Sequence, residues 1–286
     1  MALLALAGVA GSAQSSALAQ DATPIAPAVA VGHIEARSFW SASLGRTMPY
    51  RVYLPPGYAE GTRHYPSLYL LHGMGGSDRE WQDLGIASAA DRLIAAGQIA
   101  PLIIVMPEGA RSYWVDQASG GEQWGHYTAV DLVNEIDASY RTIARTRSRA
   151  IGGLSMGAHG ALQLALNYPG EFGAVGAHSL VLRRFNSIPS YFGNAAEFAK
   201  RDPMQIVPAR GPGSCTFALW IDIGASDPWT GLAEQFESEL TDLGVRHEWH
   251  LWAGDHSGSY WSAHLDDYLR FYNASLNSRP ARSSLS

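Results

Sequence analysis

From residue 38 onward, the chain alternates short apolar runs with longer stretches in which apolar residues recur every three or four positions. Residues 67–71 and 102–106 are continuous apolar runs, of the kind buried on both faces in a parallel sheet. Between them, residues 86–96 carry helical spacing, and Asp131, Leu132, Ile136 and Tyr140 predict a second helix within residues 128–143. A strand beginning at Ala150 then runs into an Ala/Leu-rich helical segment. Later runs at 174–179, 217–223 and 248–252 predict strands, and 229–243 and 259–272 predict helices. Residues 38–43 and 49–54, the second ended by Pro55-Pro56-Gly57, read as a leading hairpin. Strands alternating with helices imply a doubly wound, mostly parallel α/β sheet with helices on both faces. Ligands of such sheets sit beyond the carboxyl ends of the strands.

The N-terminus breaks this pattern. Residues 2–10 are almost wholly apolar, and Ala17-Leu18-Ala19 offers small residues where a signal peptidase reads them, although no Lys or Arg precedes the apolar core. Residues 1–19 are therefore expected to be a signal peptide, 20–32 with Pro24 and Pro27 a linker, 33–276 the folded domain and 277–286 a flexible tail. The implied location is secreted or periplasmic. No other segment approaches ~20 consecutive apolar residues, so no membrane span is expected. At 286 residues, 47% apolar and 16% charged, the chain suits one large domain. A net charge of -6 without any basic run argues against a nucleic-acid partner and leaves small or neutral substrates. Cys215, the single cysteine, permits no internal disulfide and no structural zinc knot, and nothing calls for a metal or another cofactor.

Candidate chemistry centres on Gly153-Leu154-Ser155-Met156-Gly157. A Gly-x-Ser-x-Gly pentapeptide between a strand and a helix is a nucleophile elbow, in which a sharp turn lifts the serine above the sheet edge. Ser155 is the candidate nucleophile. A serine hydroxyl needs a histidine base and a carboxylate that orients it, in chain order Ser, Asp or Glu, His on this fold. Of ten histidines, His256 lies just past the last strand run and before the last helix, the expected address. His33, His64, His159, His178, His247, His250 and His264 fit solvated or structurally bonded roles better. Asp222 and Asp227 compete for the acid. Asp227 lies in the loop beyond a strand-breaking glycine, which favours it; Asp222 belongs to the strand and is expected to bond backbone near the turn. The oxyanion that forms on attack needs backbone N–H donors. Met156, the residue after the nucleophile, is one, and Met74 in the loop Leu70-Leu71-His72-Gly73-Met74-Gly75-Gly76 is the other. No Gly-Lys-Ser/Thr follows that loop, so it is not a phosphate-binding P-loop.

With these pieces placed, the chain resembles the esterase D-like branch of the α/β-hydrolases, which includes S-formylglutathione hydrolases, bacterial feruloyl esterases and the antigen 85 mycolyltransferases. The resemblance runs from about Ser38 to Tyr272. It rests on Tyr53-Leu54-Pro55-Pro56-Gly57-Tyr58, the His72–Gly76 loop with Trp81, Met106-Pro107-Glu108-Gly109 with Ser112-Tyr113-Trp114, the serine elbow, and Gly254-Asp255-His256 with Trp261. It implies an α/β-hydrolase fold and the same Ser155, Asp227 and His256 with Met74 and Met156 amides. Ala158-His159 and Asp255 depart from the family's usual residues and would reshape the pocket. His72 and Gly73 of the oxyanion loop, with Tyr113, Trp114, Trp124 and His126 from aromatic clusters in polar, Gly-containing loops, are candidate substrate contacts; aromatic walls suit an aryl acyl group or a sugar ring. The expected activity is that of a secreted, cofactor-free serine carboxylesterase on feruloyl or acetyl-xylan type carbohydrate esters. The alternatives are an S-formylglutathione hydrolase, an acyltransferase of the antigen 85 type, and a catalytically silent binding protein.

Overall fold

The computed structural model describes residues 30–277, together with 2 and 8. The expected leader, apart from those two positions, most of the linker and the tail beyond 277 lie outside the described residues. Eight strands, β1 (His33–Ser41), β2 (Arg46–Leu54), β3 (Ser67–Leu71), β4 (Ile103–Pro107), β5 (Arg149–Leu154), β6 (Ala174–His178), β7 (Ala218–Gly224) and β8 (Glu248–Trp252), form one sheet in the order β1-β2-β4-β3-β5-β6-β7-β8. Only β2 runs antiparallel to its neighbours; the remaining pairs are parallel. His33 opens β1 opposite Leu54.

The continuous apolar runs become strands because both faces of the sheet are covered. Along β3, Leu68 and Leu70 enter the cluster under the helices Ile86–Ala95 and Leu265–Asn277, while Tyr69 and Leu71 enter the cluster under Leu132–Ser139, Met156–Asn167 and Thr230–Asp242. The period-2 geometry of a strand thus feeds two cores from one run. This is the doubly wound α/β-hydrolase architecture. Two helices differ from their sequence pattern. The one expected over 128–143 begins as a π-helical turn, Tyr127–Asp131, and its α-helical part ends at Ser139. At the end of that turn Asp131 is tied to the first hairpin, accepting from Ser41 Oγ at 2.7 Å and Ser43 N at 2.9 Å. The helix expected over 259–272 is broken at His264 into Gly258–Ala263 and Leu265–Asn277. Among the described residues no helix is long and apolar enough to cross a membrane.

Candidate active site

β5 ends at Leu154, and Ser155 takes φ 58°, ψ -116° before the helix Met156–Asn167 begins. A non-glycine residue so far into the left-handed side costs roughly 1–3 kcal/mol and persists only where its surroundings over-determine it. They do so here. Ser155 N donates to His178 O on β6 at 2.9 Å. The helix start is pressed so closely against β3 that a Cβ on Gly157 would collide with Leu71 O. The result is a serine hydroxyl standing at the carboxyl edge of the sheet.

The loops after β7 and β8 converge on that hydroxyl. Ala225 N donates to Trp252 O at 2.7 Å and Ser226 N to Gly254 O at 2.8 Å, so the two loops run as one unit. A Cβ on Gly224 would strike the Gly254 carbonyl, and one on Gly254, at φ 138°, would strike the Tyr260 ring, so each position needs glycine. His256 Nδ1 lies 2.6 Å from Asp227 Oδ2, and His256 Nε2 lies 2.8 Å from Ser155 Oγ. The carboxylate accepts, so Nδ1 carries the proton and Nε2 is left to accept from the hydroxyl. Asp227 is buried, and its other oxygen accepts from Trp229 N at 2.9 Å, which leaves the carboxylate one orientation. His256 keeps 21% of its side chain exposed. Trp261 packs edge-on against it at 5.2 Å, its own Nε1–H donated to Ser179 Oγ at 2.9 Å. Ser179, at φ 47°, is the residue after the His178 carbonyl that holds the Ser155 amide.

The loop after β3 stands next to the serine: a Cβ on Gly73 would lie 3.4 Å from Ser155 Cβ. Gly76 N donates to Gly73 O at 3.1 Å and Gly75 has φ 85°, a turn of the type that needs glycine at its third position. Such a turn uses the first carbonyl and the last amide and leaves the Met74 N–H outside it. Met156 N–H, at the first position of the elbow helix, is one of the amides a helix cannot satisfy internally, at the positive end of its dipole. These two amides could receive a developing oxyanion. His72, expected as a substrate contact, is buried, whereas Gly73 stands beside the serine. His72 is buried with Nε2 accepting from Gly109 N at 2.9 Å and Nδ1 donating to Gly73 O at 2.8 Å, so it braces the loop from beneath. Gly73 N is bound to Glu80 Oε2 at 2.6 Å. Glu80 had no sequence signal, since a carboxylate seven residues past a glycine matches no motif.

The aromatic clusters are also corrected. Tyr113 and Trp114 adopt φ 54° and 59°, which turns the chain inward, and both are buried. Trp114 packs on Gly109 and Gly160 and donates Nε1–H to His72 O at 3.3 Å; Tyr113 lies edge-on to His159 at 5.3 Å. Trp124 is buried beneath the Arg46 guanidinium, 4.9 Å from its ring. His126 is exposed and sits 6.2 Å from the ring of Tyr168, the residue that follows the elbow helix, whose far end lies roughly 18 Å along its axis from Ser155. Asp222 does not bond backbone near a turn with its carboxylate. Oδ1 accepts from His178 Nδ1 at 2.6 Å and Trp220 Nε1 at 2.8 Å, and Oδ2 from the Tyr260 and Tyr268 hydroxyls at 3.0 Å each.

The Esterase family model, described as "Putative esterase", matches residues 41–272. The chain belongs to that family. It is 36% identical over 145 residues to Esterase Rv1288 of Mycobacterium tuberculosis (strain ATCC 25618 / H37Rv), covering 49% of this chain and 31% of that one. It is 35% identical over 150 residues to the endo-1,4-beta-xylanase/feruloyl esterase of Xylanibacter ruminicola, covering 50% and 21%. The aligned region thus spans a third or less of these curated relatives. Among solved structures, a ferulic acid esterase superposes with a TM-score of 0.75 at 25% identity, over 86% of this chain and 99% of that one. The α/β-hydrolase fold and the esterase family expected from the motifs are both met.

Proposed function

We propose that the protein is an exported serine carboxylesterase acting on carbohydrate-linked esters of the feruloyl or acetyl type. The observation that carries this reading is the unbroken chain from Ser155 Oγ through His256 to Asp227, at 2.8 and 2.6 Å, on an elbow flanked by two free amides. Ser155 Oγ attacks the ester carbonyl carbon as His256 Nε2 takes its proton, and the carbonyl oxygen becomes an oxyanion held by the Met74 and Met156 N–H groups. Collapse breaks the C–O bond to the alcohol, which leaves with the proton from His256. Water then enters and gives its proton to the same nitrogen as its oxygen attacks the acyl carbon; the bond to Ser155 Oγ breaks, the serine takes that proton back from His256, and the acid is released. Asp227 fixes the imidazole tautomer throughout. The relatives named feruloyl and ferulic acid esterases support the substrate class, and the apolar stretch at 2–10 with Ala17-Leu18-Ala19 supports export.

The test is a panel of aryl and alkyl acyl esters beside a thioester, run on wild type and Ser155→Ala. Wild type should turn over acetyl or feruloyl esters above the thioester, and the variant should lose that turnover to near background, save what the amides alone contribute. Unimpaired hydrolysis by Ser155→Ala removes the serine from the mechanism.

A further inference from the structure

Beyond β6, residues 180–182 are buried, and at Arg183 the chain emerges over the carboxyl ends of β6 and β7. There the segment 183–186, the start of the helix Pro203–Arg210 and the first turns of Thr230–Asp242 enclose a cavity of about 490 Å³. The reaction written above uses none of it. Its near wall nevertheless touches the candidate site. The Arg183 guanidinium lies 4.6 Å over the Trp229 ring, and Trp229 N holds Asp227 Oδ1. Arg183 Nε also donates to Tyr113 OH at 2.6 Å, beside the elbow helix. In the sheet, β7 stands two places from β5, an offset of about 10 Å. The cavity thus adjoins the loop that carries Asp227, on the same edge of the sheet as Ser155, where a ligand extending from the serine along that edge would meet it.

The walls say what that group is. Phe185 is 47% exposed and presents an open aromatic face, stiffened by Phe198 at 5.7 Å. Around it stand the amides of Asn186, Gln205 and Gln235, each able to donate and to accept. Asp202 lines the same space at 2% exposure, with only a long 3.4 Å contact from Met204 N. Burial pushes its carboxyl up to about 7, so near neutral pH it too can donate or accept. The open Phe185 face stands on an apolar floor of Ala195, Phe198, Met204 and Leu232, rimmed by these amides and by Arg183 and Arg184, which matches a ring with an apolar C–H face and hydroxyls around its edge.

We propose that this cavity is a glycan subsite, in which a sugar neighbouring the esterified one stacks on Phe185 and bonds Asn186, Gln205, Gln235 and Asp202. The proposal rests on the carbohydrate-esterase reading above. It is tested with wild type, Phe185→Ala and Gln235→Ala on two esters of one acyl group, an acetylated xylo-oligosaccharide and p-nitrophenyl acetate. The ratio of kcat/KM for the first over the second should fall tenfold or more in each variant, mainly through KM. A ratio at the wild-type value in both variants overturns the subsite. A direct arm needs no turnover: unesterified xylotriose should bind the wild-type chain in calorimetry and bind Phe185→Ala at least tenfold more weakly, and no binding to wild type overturns the proposal. If S-formylglutathione is the better substrate and Arg184→Ala abolishes that preference, the cavity serves an anionic thiol peptide and the glycan assignment falls. Failure of the serine mechanism itself would show in Ser155→Ala and would leave the xylotriose result standing.

Discussion

Two hydroxyl–imidazole–carboxylate chains lie within one molecule, their carboxylates five residues apart. In one, Ser155 Oγ donates to His256 Nε2 and His256 Nδ1 donates to Asp227; in the other, Tyr272 OH donates to His178 Nε2 and His178 Nδ1 donates to Asp222. The imidazole–carboxylate contact is 2.6 Å in both. What differs is the surroundings. His178 and Asp222 are wholly buried, and Tyr272 OH sits so tightly over Gly152 that a Cβ there would overlap it. Burial first, then the Asp222 charge, hold the Tyr268 and Tyr272 phenols well above their ordinary range, so they remain protonated donors at any working pH. Every valence is occupied by protein. Around His256 part of the ring stays exposed, and its hydroxyl partner sits on a strained turn at the sheet edge with 8% exposure. The same three group types therefore make a clamp in the core and a candidate reaction centre at the sheet edge.

The largest effect should come from breaking the outer chain. Asp227→Asn offers His256 a donor as well as an acceptor and favours the wrong tautomer. The expected fall in kcat is roughly 10²- to 10⁴-fold, about 3–5 kcal/mol of transition-state stabilisation. KM and melting temperature should change little. Steady-state kinetics with one good ester checks this, and near-wild-type kcat removes Asp227 from the acid's place.

Breaking the inner chain should do the reverse. In Asp222→Asn a single amide faces four donors, His178 Nδ1, Trp220 Nε1 and the Tyr260 and Tyr268 hydroxyls. Its NH₂ can accept none of them, and one or more must stay unpaired. A loss of about 2–4 kcal/mol is expected from denaturant unfolding, with kcat of the folded fraction within a few-fold of wild type. If kcat collapses without loss of stability, the two chains have exchanged roles.

How much of this was legible follows the same division. Ser155, His256 and Asp227 sit in loops directly after strands, where chain order and a flanking glycine specify an address. Asp222 was visible as a strand residue, but three of its four donors come from β6 and two C-terminal helices, and no local spacing reports so distant a convergence. Tyr113 and Trp114 were misread because polar, Gly-containing loops usually face water. Their left-handed backbone, which turns both rings inward, depends on packing against Gly109 and Gly160. Residues 180–216 offered no apolar period at all. They fold as short helices and turns held by caps such as Asn194 and Asp202, and they build the cavity beside the site.

A third histidine sharpens the comparison by lacking a carboxylate. His159, in the elbow helix, is buried with Nε2 at 2.9 Å from Arg201 O, and burial pushes it down to about 4. Between that value and its unfolded value near 6.5 the unfolded chain binds more protons, so stability is lost as pH falls through this window. Asp202, raised to about 7, works in the opposite direction and is present in both proteins compared. His159→Gln should therefore lose less stability than wild type between pH 6.5 and 4, by at most about 3 kcal/mol. Parallel melting-temperature profiles for the two proteins would refute the burial argument.

The smallest expected effect tests how rigidly the outer imidazole is held. Trp261→Phe keeps an aromatic edge against His256 but deletes the Nε1–H that Ser179 Oγ accepts, so the ring loses its anchor and Ser179 a buried partner. One neutral hydrogen bond is worth about 1 kcal/mol, and a loosened imidazole should lower kcat about three- to tenfold with KM nearly unchanged. The penalty should depend on the leaving group. A p-nitrophenolate departs without a proton, whereas an alkyl alcohol must receive one from His256 as the C–O bond breaks, so misplacement of Nε2 is felt twice on the alkyl ester. The measurement is the ratio of variant to wild-type kcat for ethyl and p-nitrophenyl esters of one acid. An equal loss on both would mean that Trp261 supports the fold around the elbow and that the imidazole is positioned by Asp227 alone.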